Sequence, residues 1–135
     1  MGEVRLWLSG FVPHFLRRAM GQRVFDDRSS NLCIRSLGAF SVAYRGGTSD
    51  EAVLEESFEK DLLFARLPEY HPSPNDTIVD IGAHIGTFAL LAASRVPQGR
   101  VYAIESCEET FNFLTVNVAL NHATNIFTSR LAVIG

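Results

Sequence analysis

Two kinds of hydrophobic periodicity divide the chain. Between residues 31 and 46 apolar and polar positions alternate: Leu32 and Ile34 first, then Phe40, Val42 and Tyr44, with Gly38 between the runs. Period-two alternation about a glycine predicts a β-hairpin, which Gly46-Gly47 ends. Thr48 and Glu51 then stand at capping-box spacing. Val53, Leu54, Phe58, Leu62 and Ala65 follow at helical spacing as far as Pro68, which predicts one helix or two. Residues 69–76 gather prolines, asparagine and aspartate and predict a loop.

From Thr77 the texture changes. Thr77–Ile81 is a short, nearly continuous apolar run, the kind buried on both faces of a parallel sheet. A tight turn at Gly82–Gly86 leads into a helix faced by Phe88, Leu91 and Ala92 that ends near Arg95. Val101–Ile104 is a second strand, and Ser106 with Glu109 forms a second capping box that brings carboxylates to the positive end of the next helix. Phe111, Leu114 and Val118 mark that helix's buried face, with Asn121 as C-cap. Ile126–Ile134 predicts a third strand, broken near Ser129-Arg130. Strand, helix, strand, helix, strand specifies right-handed βαβ units and a parallel sheet. The expected fold class is therefore α/β: a Rossmann-like parallel β-α-β-α-β portion preceded by a hairpin and helix, with the C-terminal half of the sheet missing. The expected organisation is an N-terminal arm at 1–30, a hairpin and helical lead-in at 31–75, and a partial cofactor-binding domain at 76–135. In the arm, Trp7, Phe11 and Phe15 recur every four residues among four arginines; it either docks on its own domain or forms an amphipathic helix for a membrane surface or a partner.

Composition narrows the function classes. Hydrophobic residues make up 47% and charged residues 20% of the 135, which excludes wholesale disorder. Twelve basic against fifteen acidic side chains leave no electrostatic footprint for nucleic acid. No apolar run is long enough to span a membrane, and the first residues lack a cleavage site, so a cytoplasmic protein is expected. The two cysteines make neither a CxxC nor a disulfide framework, and the four histidines show no metal-ligand spacing.

The chemistry concentrates at Asp80-x-Gly82-x-x-x-Gly86, at the end of one strand, and Glu105, at the end of the next. Glycines remove the Cβ atoms that would block close backbone approach, and the helix start that follows offers free N–H groups. A carboxylate at the neighbouring strand tip can accept both hydroxyls of a ribose. Singly, each residue has a plainer reading: turn glycines, a capping aspartate, a solvated glutamate. Jointly they favour a nucleoside cofactor. The dinucleotide fingerprint needs glycine at 80, 82 and 85, where the chain has Asp80, Gly82 and Ile85. A carboxylate at 80 repels a pyrophosphate but suits S-adenosylmethionine, which has an ammonium and no phosphate. His84 flanks the cofactor; as a catalytic base it lacks an evident acidic partner.

The stretch Asp76–Phe88, then Val101–Glu105, then Asn117-Val118-Ala119-Leu120-Asn121, resembles the FkbM family of S-adenosylmethionine-dependent methyltransferases, and Tyr44–Asp50 is similar to that family's hairpin-to-helix lead-in. The resemblance covers roughly residues 40 to 135. It implies a class I methyltransferase fold, S-adenosylmethionine as cofactor, and O-methylation of a small-molecule hydroxyl on a sugar or natural-product-like scaffold. Asp80, Gly82 and Gly86 would line the methionine end, with Ala83 and His84 in the same turn, and Glu105 would bind the ribose. Ser106 stands where the family usually has proline. No catalytic residue is implied within the chain, because the acceptor site is expected after residue 135. The alternatives are an NAD-dependent oxidoreductase half-domain and a non-catalytic, truncated nucleoside-binding module. An incomplete sheet is expected to self-associate through its open edge.

Overall fold

A computed structural model describes residues 31–60 and 69–132. Strands β1 (Asn31–Leu37) and β2 (Phe40–Gly46) pair antiparallel, with Leu37 opposite Phe40. The two-residue loop between them has Gly38 at φ +61°, the left-handed geometry that lets a tight hairpin follow the strands' twist. Helix α1 (Asp50–Leu54) follows and continues as a π-helical turn over Glu55–Glu59. The predicted capping box forms in displaced register. Thr48 Oγ1 accepts from Asp50 N, and Glu51 Oε1 accepts from Gly47 N, not from Thr48 N. Leu62 and Ala65 fall outside the described residues, as does the predicted arm at 1–30.

Strands β3 (Thr77–Ile81), β4 (Arg100–Ile104) and β5 (Ile126–Ser129) form a parallel sheet in that order, joined through α2 (Thr87–Arg95) and α3 (Glu108–Leu120). The third strand stops where Ser129-Arg130 predicts a break. The register sets Ile78, Val101 and Ile126 side by side, all buried. Against the described helices lie the apolar residues of that face, with Ala89, Leu90, Phe113 and Leu114 filling the layer. Val79, Tyr102 and Phe127 are in register on the other face and stand exposed. Two right-handed crossovers that step the same way along a sheet put both helices on one side. The expectation of burial on both faces therefore fails for β3, where Val79 is 55% and Ile81 63% exposed.

Two asparagines bind the hairpin to the parallel layer. Asn117 Oδ1 accepts from Ala43 N at 2.7 Å, and its Nδ2 donates to the carbonyls of Ala43 and Ile85. One helical turn on, Asn121 repeats the pattern on Ser41 and caps α3. The spacing of four on a helix matches the spacing of two on a strand, so α3 serves as a stand-in partner for the edge of β2.

Candidate functional site

The end of β3, the glycine turn and the end of β4 meet at one edge of the parallel sheet. Gly82 N and Ala83 N both donate to Ile104 O at 2.9 Å, and Gly86 N donates to Ala83 O at 2.8 Å. Gly82, His84 and Gly86 have φ of +78°, +53° and +89°. The glycines take this region without a Cβ penalty; a histidine does so rarely, so the turn is held by its surroundings. A Cβ on Gly82 would meet nothing within 4 Å, and the residue is exposed: its flank is open space. At Gly86 a Cβ would fall 2.6 Å from Leu114 Cδ1, so this glycine serves the packing of the α2 start against α3. Ala83 is buried, Ser106 exposed and His84 half-buried.

Glu105 differs most from expectation. The sequence leaves it free of capping duty, but it is only 8% exposed and both oxygens are engaged. Oε2 accepts from His84 N and Oε1 from Cys107 N, each at 2.8 Å. The Ser106–Glu109 capping box does not form. Cys107 is the N-cap, without a side-chain cap bond, and Glu108 and Glu109 occupy the first turn as expected. Burial pushes the Glu105 carboxyl up, but the N–H groups of Cys107 and His84, with the Thr110 hydroxyl, pull it below the ordinary range.

Asp80 is the opposite case. Its Oδ2 is buried with no hydrogen-bond partner in the protein. Burial first, and the charge of Glu105 second, push this carboxyl up to about 6. A carboxylate so placed is matched to a cation.

Behind the turn stands a cluster that the sequence did not single out as part of a site. Asp50 is fully buried, its Oδ2 taking Arg45 N and Nε and its Oδ1 taking Arg45 Nη2, all within 2.9 Å. Arg45 also reaches Glu109 Oε2 at 3.1 Å and lies over the Phe113 ring. Burial raises the Asp50 carboxyl, but the hydrogen bonds from Arg45 outweigh it and hold the group low. His84 Nε2 is 3.4 Å from Asp50 Oδ1, so the histidine has the acidic neighbour that the sequence did not reveal. An aspartate in a helix's first turn reads as a cap, which hid its inward role. Among the described residues there is no group of side chains suited to a metal ion, and no helix is long and apolar enough to cross a membrane.

The parallel sheet, its helices and the glycine turn define a protein of the α/β class. It is similar to the crystal structure of TYW2 from M. jannaschii in complex with AdoMet: TM-score 0.52, 19% identity, 75% of this chain and 43% of that one. It is also similar to TYW2 from P. horikoshii in complex with MeSAdo: TM-score 0.52, 17% identity, 76% and 37%. This chain thus spans less than half the length of either. The chain belongs to the Vibrio cholerae RfbT protein family, whose model matches residues 56–135. Comparison with curated proteins gave no match.

Proposed function

We propose that this chain carries the cofactor-binding half of an S-adenosylmethionine-dependent methyltransferase. The observation that carries the reading is the buried Asp80 Oδ2, without a hydrogen-bond partner in the protein, two residues before the open flank of Gly82. A site for a pyrophosphate would not place an unpaired carboxylate there; a site for an ammonium would. The AdoMet and MeSAdo bound to the two similar structures support the same class of ligand. Asp80 would hold the amino-acid end, Gly82 would give the backbone room, Glu105 would accept from the ribose, and Ser106 borders the site at the start of α3. When bound, the cofactor supplies an electrophilic methyl group. The protein's part is to orient donor and acceptor and exclude water, which can supply ~7–11 kcal/mol. The resemblance to the FkbM family favours a hydroxyl on a sugar or natural-product-like molecule as acceptor.

Calorimetric titration of the chain with S-adenosylhomocysteine and with NAD tests the reading. The expected result is binding of the first and none of the second. Tighter binding of NAD would sink it.

A further inference from the structure

Asn117 does more than anchor the hairpin. It is fully buried, and its side-chain amide is used to the last proton. Oδ1 accepts from Ala43 N at 2.7 Å, one Nδ2 proton goes to Ala43 O at 3.0 Å, and the other goes to Ile85 O at 2.8 Å. Turning the amide over would set its oxygen against two carbonyls, so its orientation is fixed. The first two bonds hold β2. The third ends inside the glycine turn, on a residue that is itself fully buried.

A peptide unit is planar and trans, so its C=O and N–H point in opposite directions. Holding Ile85 O therefore also aims the N–H of Gly86, which donates to Ala83 O at 2.8 Å and closes the turn. This plane needs holding. Gly86 has φ +89°, and a peptide plane rotates most readily beside a glycine. Leu114, three residues before Asn117 and on the same face of α3, packs where a Cβ on Gly86 would stand. One face of α3 thus fixes the Ile85-Gly86 peptide twice, by packing and by a hydrogen bond. Asn121 has no such reach: its amide serves Ser41 and its own helix.

We propose that Asn117 is a positioning residue for methyl-donor binding: it locks the Ile85-Gly86 peptide, and with it the glycine turn, and ties that geometry to β2 of the hairpin. The proposal rests on the methyl-donor reading above and adds a determinant that acts through the turn. Without the amide, the buried Ile85 carbonyl loses its donor, and the plane turns toward another partner. Turn and ligand then no longer match.

The test compares Asn117→Ala with Asn121→Ala at a temperature where melting curves show both variants folded. Asn121→Ala loosens the same strand by the same kind of bond without touching the turn. Asn117→Ala should bind S-adenosylhomocysteine about 5–150-fold more weakly, the range of coupled sites, and Asn121→Ala should bind it as the wild type does. Equal weakening in both variants, or unchanged affinity in Asn117→Ala, overturns the proposal while the methyl-donor reading stands. A wild-type chain that binds no S-adenosylhomocysteine overturns both. A second measurement uses the wild type alone and serves where Asn117→Ala does not fold. Coupling is reciprocal, so the ligand must tighten what Asn117 holds. Adding S-adenosylhomocysteine should slow hydrogen exchange at Ala43 N–H, bonded to Asn117, more than at Ser41 N–H, bonded to Asn121. Equal slowing at the two, or none, contradicts the proposal.

Discussion

Asp80 and Glu105 are neighbouring carboxylates with opposite effects on stability. The folded Asp80 carboxyl is pushed up to about 6 from 3.8, so the folded chain holds this proton more tightly than the unfolded one. Stability from this group is therefore present at low pH and lost as pH rises from about 4 to 6, by up to about 3 kcal/mol. At pH 7 Asp80→Asn should raise the melting temperature of the ligand-free chain and flatten its dependence on pH across that window. The same variant should lose affinity for S-adenosylhomocysteine. A variant that melts lower and binds as before would make Asp80 a structural residue. Glu105 is held below its ordinary range, so its contribution is present above pH ~4.5 and lost as the pH falls further. Its two hydrogen bonds to backbone N–H groups are worth about 1.5–3 kcal/mol each. Glu105→Ala should destabilise the chain by about 3 kcal/mol or more in urea unfolding. Glu105→Gln, which retains one acceptor, should lose less. The same urea midpoint in Glu105→Ala would return the residue to the solvated role that a strand-end glutamate suggests in the sequence.

At the scale of elements, side chains do the joining that strands would otherwise do. Asn117 is fully buried and satisfies Ala43 N, Ala43 O and Ile85 O together. Asn117→Ala would strand three backbone groups, each costing about 1–3 kcal/mol, so a loss of at least about 3 kcal/mol is expected by thermal melting. Asn121→Ala, at a half-buried position, should lose clearly less; equal losses would mean that the amides act through helix ends alone. How far such features can be read from sequence depends on their range. The hairpin, β3, α2, β4 and the Asn121 cap are set by local periodicity and breakers, and their bounds agree with the structure to within a residue or two. The glycine turn was legible because glycines and a carboxylate at a strand end have few other uses. Asp50, Arg45 and the second role of Glu105 were not: Arg45 and Asp50 are only five residues apart, but their burial and the contacts of Asp50 and Glu105 with His84 depend on partners that the fold brings close. His84 and Asp50 are far apart in the chain, and nothing in the spacing foretells their contact. The π turn after Leu54 was equally hidden, since apolar spacing does not separate a wide turn from a regular one.

The described part of the molecule is lopsided. Its helices cover one face of the parallel sheet, and Val79, Ile81, Tyr102 and Phe127 line the other, with Tyr102 and Phe127 stacked at 5.4 Å. Among the described residues no strand pairs with the free edge of β3. An apolar face beside an open strand edge favours contact between copies, because both apolar area and unpaired N–H and C=O groups are removed from water together. The 135-residue chain should therefore grow in average mass with concentration in sedimentation experiments and bind an apolar dye in its native state. A pair of charges, Val79→Lys with Phe127→Glu, should reduce both signals. It should leave the melting temperature nearly unchanged, since both side chains are already about half exposed and contribute little to the core. The pair tests the face and not the edge, because neither substitution alters the backbone of β3. If association persists while dye binding falls, the edge is the contact. A chain that stays monomeric across the accessible range and ignores the dye would mean that residues beyond those described here cover the face.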